Sequence, residues 1–265
     1  MTRRPSRFRI LLLAIVLSAA PFSSPFEAAE IPLAERRSSY DMMSAETRAM
    51  QDEDTSNPGM LWVLEGRELW SRKVGAARRA CADCHGDAAE SMKGVAARYP
   101  AFDESLGRPI NLEGRINLCR TERQQAPALA PESREGLALA TFIGTQSRGM
   151  PIKSDDHRLT PFIEKGRALF SQRQGQLNLA CSQCHDDNWG RLLAGIPMPQ
   201  GHPNGYPIYR LEWQTLGSLQ RRLRNCMIGV RAEPYLYGAP EYLALETFLM
   251  WRARGMLIET PGVRP

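Results

Sequence analysis

Apolar residues recur at helical spacing through much of the chain, and alternation with period two is scarce. The clearest helical segments come in matched pairs. One pair is MLWVLEGRELWSRK and TPFIEKGRALFSQR, and another is SREGLALATFIG and APEYLALETFLMWRA. Loops containing Gly and Pro separate these segments. The pattern predicts an all-α protein.

The paired segments belong to an internal repeat. Residues 66–71 align with residues 166–171 at an offset of 100, and residues 137–143 align with residues 243–249 at an offset of 106. Apolar residues make up 43% of the chain, which is enough to build a core in each copy. Two copies of about 100 residues indicate a duplicated globular domain, because a solenoid needs more and shorter repeats.

The repeat also sets the predicted domain boundaries. Between the two copies lies PIKSDDHRLTP, a polar stretch with proline at both ends that suits a linker. Residues 30–57 are polar, and they either wrap the first domain or are mobile. The predicted organisation is a signal peptide over 1–29, an extension over 30–57, a first domain over 58–150, a linker over 151–160 and a second domain over 161–265.

The first residues have the pattern of a secretory signal peptide. Four arginines precede the uncharged run ILLLAIVLSAA, and small residues follow it. The run is short and is soon followed by prolines, which disfavours a membrane span and leaves an uncleaved anchor as the alternative. Removal of residues 1–29 lowers the net charge from +5 to about +2. No basic block remains that would indicate nucleic-acid binding, and we predict a periplasmic protein without a stable membrane span.

The sequence CxxCH occurs twice, as Cys81–His85 and Cys181–His185. Two thiols at this spacing attach to the vinyl groups of one haem, and the adjacent histidine is an axial ligand of the iron. A zinc site shared by both copies is the alternative, and thioredoxin-like chemistry would need a βαβ pattern that is lacking. We predict two covalent c-type haems, bound through Cys81, Cys84 and His85 and through Cys181, Cys184 and His185.

Each copy has one further cysteine, Cys119 or Cys226. Two aliphatic residues precede it, one seven positions and the other three positions before the cysteine. This spacing places them on one helical stripe, so the thiol is predicted to face the haem as the second axial ligand. A disulfide between the two cysteines is the main alternative in an exported protein. Weaker candidates for the ligand are Met92, Met150, His157, Met198, His202 and Met256.

An arginine stands one helical turn before each of these cysteines. Arg222 precedes Cys226 and Arg115 precedes Cys119, each by four residues. Cationic neighbours keep a thiol deprotonated, and a guanidinium pairs with sulfonate-like oxygens. The shared spacing leaves open which site is reactive, although the loop of the second copy is longer by about seven residues, as functional loops tend to be.

The doubled CxxCH, the lone downstream cysteines and the segment RRLRNCMIGVRAEPY resemble the SoxA family. These are the dihaem cytochrome subunits of SoxAX complexes in bacterial thiosulfate oxidation, and the resemblance spans roughly residues 45–260. It implies an L-cysteine S-thiosulfotransferase that joins thiosulfate to a cysteine of the carrier protein SoxYZ. Two electrons would leave through haem to a c-type cytochrome, and a small SoxX-type cytochrome would complete a heterodimer.

The resemblance also implies roles for two residues. Cys226 would ligate the second haem and carry the sulfur intermediate, as a persulfide or a thiosulfate adduct, and Arg222 would bind the substrate. The leading alternative is an exported dihaem electron-transfer cytochrome without sulfur chemistry. A dihaem peroxidase is disfavoured, because the repeat supplies a ligand candidate to both irons and no acid–base group marks an open site.

Overall fold

The computed structural model describes residues 1–2 and 30–265. The predicted signal peptide lies, apart from its first two residues, outside the described residues. Among the helices that are described, none is long and apolar enough to cross a membrane.

The first half is mainly helical. Its elements are α1 (Ala45–Asp52), α2 (Met60–Ser71), α3 (Ala82–His85), α4 (Ala88–Ser91), β1 (Ala101–Asp103), β2 (Arg108–Ile110), α5 (Leu112–Glu122) and α6 (Arg134–Thr145). Helices α2 and α6 pack together, and the short helix with the first CxxCH lies beside α2.

The second half repeats this order with additions. Its elements are α7 (Thr160–Ser171), α8 (Cys181–His185), β3 (Leu192–Leu193), β4 (Ile196–Pro197), β5 (Ile208–Arg210), β6 (Thr215–Gly217), α9 (Leu219–Gly229), α10 (Pro240–Arg252) and β7 (Gly262–Arg264). Helices α7 and α10 pack as α2 and α6 do. Strand β5 pairs antiparallel with β6 and parallel with β7.

The prediction of an all-α protein is therefore incomplete. Helices build the core of each half, but β1–β2, β3–β4 and β6–β5–β7 form small sheets in the described part of the chain. Each of these strands has two or three residues. A strand this short shows hardly one cycle of apolar–polar alternation, so the sequence pattern does not reveal it.

Both helix pairs depend on a glycine at their contact. A Cβ added at Gly66 would lie 2.2 Å from the carbonyl oxygen of Ala138, and one added at Gly166 would lie 2.1 Å from that of Ala244. These separations are far below van der Waals contact, so only glycine lets the backbones approach this closely. The close packing of the helices therefore explains the glycine of the GR sequence that α2 and α7 share.

We expect Gly166→Ala to lower the free energy of unfolding by at least about 2 kcal/mol, because α7 and α10 must separate to admit the methyl group. Urea unfolding of the purified protein measures this change. Gly229→Ala is the matched control, since a Cβ at Gly229 meets nothing within 4 Å. Equal stability of the two variants would contradict the packing argument.

Each half packs a β-hairpin, β1–β2 or β5–β6, against the other half, and we call these two the exchanged hairpins. Tyr209 of β5 packs against Trp62 of the first half with ring centroids 6.0 Å apart, and Phe102 of β1 packs against Phe162 of the second half at 6.4 Å. Leu216 of β6 joins the same apolar cluster as Trp62. The core of each half is therefore completed by residues from the other.

The segments that follow α6 and α10 pair with each other. Ile258 N–H donates to the carbonyl of Met150 at 3.0 Å, and Ile152 N–H donates to that of Met256 at 2.9 Å. Because these residues are equivalent in the repeat, the two bonds are images of each other and mark an approximate two-fold axis between the halves. Met150 and Met256 lie at this junction, where Met256 is buried.

The N-terminal extension lies mainly along the second half. Gln51 of α1 accepts from the backbone N–H of Val263 in β7 at 2.9 Å, and Arg37 N–H donates to the side chain of Gln200 at 2.7 Å. Its end also reaches the first half, through an ion pair of 2.7 Å between Asp54 and Arg148. The extension is thus held against both halves.

A buried carboxyl lies between the halves. Glu246 of α10 is 5% exposed, and its carboxyl accepts from the side-chain amide of Asn111 at 3.0 Å. Burial raises the pKa of Glu246 to about 8; the charge of Glu113 adds to the shift, and hydrogen bonds from Asn111 and Gln220 oppose it. The carboxyl therefore stays protonated in the folded protein under conditions in which it ionises in the unfolded chain.

This difference predicts a pH dependence of stability. Between the ordinary pKa of 4.5 and about 8, the folded state of Glu246 holds a proton that the unfolded state has lost. The free energy of unfolding then falls as pH rises through this window. We expect Glu246→Gln, which is neutral throughout, to gain stability relative to the parent as pH increases from about 5 to about 8.

Urea unfolding at several pH values across this window measures the relative stabilities. The matched control is Glu68→Gln, because Glu68 is exposed on α2. Its stability should follow the pH profile of the parent. Parallel profiles for the parent and Glu246→Gln would contradict the prediction.

Candidate functional site

Each CxxCH forms a short helix, and a side chain of the motif itself caps the start of that helix. The carboxylate of Asp83 accepts from the backbone N–H of Ala80 at 2.8 Å, and the amide oxygen of Gln183 accepts from that of Ala180 at 2.9 Å. These bonds satisfy a backbone donor just before the first helical turn. The second variable position of each motif thus fixes the fold that presents the cysteines and the histidine.

His185 is held in a defined orientation. Its Nδ1–H donates to the carbonyl of Pro199 at 2.6 Å, which leaves Nε2 as the unprotonated ring nitrogen. A Cβ added at Gly201 would lie 3.3 Å from the His185 ring, so this loop passes close to the imidazole. Phe170 packs on the same ring with centroids 6.2 Å apart.

The ring of His85 makes fewer contacts than the ring of His185. Trp70 packs against its ring with centroids 5.7 Å apart, as Phe170 does for His185. No hydrogen-bond partner of the His85 ring is found among residues 30–265. The bond to Pro199 comes from the longer loop of the second half, which folds as β3–β4 before it reaches His185. The insertion thus anchors the imidazole of the second site only.

The lone cysteines sit on equivalent helices, α5 and α9. Each helix begins at a capping side chain: Asn111 accepts from the N–H of Gly114 at 2.9 Å, and Ser218 accepts from that of Arg221 at 3.2 Å. The caps set the start of each helix, and the cysteine follows two turns later.

Each lone cysteine faces the CxxCH of its own half. Cys119 lies within electrostatic reach of Cys81 and Cys84, and Cys226 lies within reach of His185, Cys181 and Cys184. All six cysteines are described, and all are free thiols. The alternative disulfide between Cys119 and Cys226 is therefore not formed.

The two lone thiols differ in acidity. Burial raises the pKa of Cys119, and the charges of Arg115 and Arg123 only partly oppose it. Burial acts the same way on Cys226, but the hydrogen bond with His185 and the charge of Arg222 outweigh it, so the pKa of Cys226 is lowered. The second thiol therefore ionises more readily than the first.

The two arginines also differ, although their spacing is the same. Arg115 forms an ion pair with the buried carboxylate of Asp103. Arg222 forms no ion pair with a carboxylate in the part of the chain that is described, and the Cys226 charge raises its pKa against the effect of burial. The charge of Arg222 is thus directed to the thiol, whereas that of Arg115 is largely balanced by Asp103.

The donor sets fit c-type haem. In the second half an imidazole and a thiol face each other beside a cysteine pair, and these donor types are the ones that hold haem iron. A site formed by protein side chains alone does not occur among the described residues, where no three His, Cys, Asp or Glu side chains could hold a metal ion. The zinc alternative, which needs both CxxC pairs together, therefore lacks its geometry.

The weaker ligand candidates make other contacts. Met92 is buried in an apolar cluster with Trp70, against which Cys81 also packs, and His157 is exposed in the predicted linker. His202 is buried, and its ring bonds to the side chain of Gln200 at 3.1 Å; burial lowers its pKa to about 3. Met198 ends the β3–β4 turn, where its backbone bonds to Gly190 at 2.7 Å.

Sequence reasoning missed several groups near Cys226. Tyr206 and Arg210 lie within electrostatic reach of the thiol, and Pro199 orients His185. An alignment extended upstream of α5 and α9 finds Tyr206, because Tyr99-Pro100 matches Tyr206-Pro207 at the same offset of 107 as the lone cysteines. Arg210 has no such match, since Asp103 stands at the equivalent position. Pro199 contributes a backbone carbonyl, which leaves no side-chain signal.

Residues 65–152 and 165–258 match the family model described as SoxA/TsdA, cytochrome c domain. The chain belongs to the SoxA/TsdA family. Its membership implies c-type haem, which agrees with the donor sets above.

Named relatives place it close to SoxA. The chain is 39% identical to the L-cysteine S-thiosulfotransferase subunit SoxA of Pseudaminobacter salicylatoxidans, over 94% of this chain and 86% of that protein. It is 37% identical to the subunit of the same name from Rhodovulum sulfidophilum, over 87% and 80%. The crystal structure of SoxXA from P. pantotrophus matches with a TM-score of 0.84 at 32% identity, covering 87% of each chain.

Proposed function

We propose that this SoxA-family chain joins thiosulfate to a cysteine thiol of a carrier protein, SoxYZ, as an L-cysteine S-thiosulfotransferase. The observation that carries the proposal is the second site: Cys226 faces His185 and has Arg222, without a carboxylate partner among the described residues, one turn away. Relatives named for this activity cover most of the chain.

The reaction balances as an oxidative conjugation. The Cys226 thiolate and the outer sulfur of thiosulfate form an S–S bond, which releases two electrons and leaves a thiosulfate adduct on the cysteine. A thiolate of the carrier then attacks the adduct, the bond to Cys226 breaks, and the thiolate of Cys226 returns. Hydrolysis of the adduct, which breaks the bond to the sulfonate and releases sulfate, would instead leave a persulfide on Cys226. A c-type cytochrome is the electron acceptor.

The residues of the second site have separate roles. Cys226 is the nucleophile, and the charge of Arg222 one turn away favours its thiolate form. Arg222 binds the sulfonate oxygens and orients the outer sulfur toward Cys226. His185, oriented by Pro199, would hold the haem iron through Nε2 together with Cys226. When bound, haem accepts electrons singly and passes them on.

The proposal includes two haems. The first would be attached to Cys81 and Cys84 with His85 and Cys119 as axial ligands, and the second to Cys181 and Cys184 with His185 and Cys226. Its support is that both donor sets are complete. The predicted boundaries of 58–150 and 161–265 then describe two tandem cytochrome c-like domains that arose by duplication, an origin that the approximate two-fold axis supports.

Partners and location follow from the same proposal. The chain would pair with a small SoxX-type cytochrome, a pairing that its likeness to the SoxXA crystal structure supports. It would act on SoxYZ in the periplasm after the signal peptide over residues 1–29 is removed, since c-type haem is attached outside the cytoplasm. The alternative remains an exported electron-transfer cytochrome, for which both cysteines would serve only as ligands.

A mass spectrum of the cysteine peptides separates the two functions. Protein matured in an exporting host is exposed to thiosulfate and digested without reductant, and the peptides with Cys119 and Cys226 are compared. Extra sulfur or a thiosulfate adduct on Cys226 but not on Cys119 is the expected result. Bare thiols at both positions after turnover would favour the electron carrier.

A further inference from the structure

The two exchanged hairpins carry opposite charges at equivalent positions. Each follows a Tyr–Pro pair, Tyr99-Pro100 in the first half and Tyr206-Pro207 in the second. The hairpins match at an offset of 107 residues, which also relates the two lone cysteines. At the last residue of the first strand, the first half has Asp103 and the second half has Arg210.

In the first half this position neutralises the arginine near the lone cysteine. Asp103 is 5% exposed and accepts from the hydroxyl of Ser105 at 2.5 Å and from the N–H of Leu106 at 2.9 Å. Those bonds, with its ion pair to Arg115, hold the pKa of Asp103 at about 2. The carboxylate is therefore charged, and Arg115 is not available to an anion from solution.

In the second half the same position adds a positive charge. Arg210 is 7% exposed, and its Nη2 donates to the carboxylate of Glu212 at 3.1 Å. Glu212 is mostly solvent-exposed, so it balances the charge of Arg210 weakly. The Nε–H of Arg210 is buried without a hydrogen-bond partner in the described chain. A buried, incompletely paired guanidinium costs free energy until an acceptor reaches it.

Arg210 pairs with Thr215 of β6, and β6 leads directly into α9, which carries Arg222 and Cys226. The charges of Arg222 and Cys226 both act on Arg210, which is buried. These two guanidiniums are faced by the Cys226 thiolate and by Glu212, whose side chain is 62% exposed, so the buried part of the site has a surplus of positive charge. A second anion bound between them would balance it.

We propose that Arg210 and Arg222 together bind the sulfonate group of a divalent thio-oxoanion beside Cys226, and that Arg210 makes the second half the substrate-binding half. The proposal rests on the function proposed for Cys226. Two guanidinium forks match the three oxygens of a sulfonate better than one fork does. Asp103 repels the same anion at the equivalent place, which explains why equal Arg–Cys spacing gives unequal sites.

Equilibrium binding tests the proposal without turnover. Calorimetry measures the Kd for thiosulfate with the mature protein carrying its haems, in the absence of carrier protein and electron acceptor. We expect Arg210→Gln to weaken binding by about 10- to 100-fold and Arg210→Lys to recover part of the loss. Arg67→Gln is the matched control, because it removes one positive charge from an exposed site on α2, and it should keep the parent Kd.

Arg210→Asp reproduces the first half and should weaken thiosulfate binding most. Haem content and the absorption spectrum establish that each variant has bound its haems. If Arg210→Asp does not fold, the comparison of Arg210→Lys with the parent still tests the proposal. An unchanged Kd in the loaded Arg210 variants, or no thiosulfate binding by the parent, overturns the proposal. Arg210-dependent binding with no sulfur ever found on Cys226 would support the anion site and remove the proposed function.

Discussion

Substitution of Cys226 by methionine is expected to lower the rate of thiosulfate conjugation by at least about 10³-fold. Methionine retains a sulfur that ligates haem iron, but a thioether has no thiolate with which to accept sulfur. Loss of activity with haem retained would separate the nucleophilic role of Cys226 from its role as a ligand. Initial rates with thiosulfate, a carrier thiol and a cytochrome c acceptor measure the effect.

Cys119→Met is the comparison for this variant. It makes the same chemical change at the equivalent position of the repeat, where Arg115 is paired with Asp103. We expect its rate to fall by less than about tenfold, because Cys119 takes no part in the proposed transfer. Losses of similar size in the two variants would assign no special chemistry to the second site and would favour a plain electron carrier.

The second large effect is expected at Arg222. Replacement by glutamine should lower kcat/KM for thiosulfate by about 10- to 100-fold, mainly through KM, because a charge-assisted contact to the bound sulfonate is lost. Arg222→Lys should restore part of the loss, since an ammonium supplies the charge without the bidentate fork. Steady-state kinetics over a range of thiosulfate concentrations give both constants.

Arg115→Gln is expected to lower the stability of the protein more than its binding of thiosulfate. This change leaves the buried carboxylate of Asp103 without its cation, so it should lower the free energy of unfolding more than Arg222→Gln does. Its KM for thiosulfate should stay closer to that of the parent. A rise in KM for thiosulfate in Arg115→Gln equal to that in Arg222→Gln would contradict the assignment of the substrate to the second half.

The sequence predicts the parts of the fold that long periodic segments define. Paired helices α2 with α6 and α7 with α10 follow from amphipathic runs of a dozen residues, and the position of each cysteine follows from the repeat. The two CxxCH motifs needed no structure to indicate covalent haem. These features are local, so a single sequence contains them.

The differences between the two sites needed the structure. Arg115 and Arg222 are indistinguishable by spacing, and only the hairpin residues that face them, Asp103 and Arg210, set them apart. Those residues lie on three-residue strands that leave almost no periodic signal. The contact of Pro199 with His185 is made by a backbone carbonyl, which any residue could provide.

The exchange of hairpins also has a consequence for the order in which the chain folds. The first half is synthesised first, and its apolar face around Trp62 and Leu137 is covered by Tyr209 and Leu216, of which Tyr209 follows Trp62 by about 150 residues. Until then this face is exposed to water and to chaperones. A first half that is made alone therefore lacks part of its core, and its finished packing waits for the arrival of the second half.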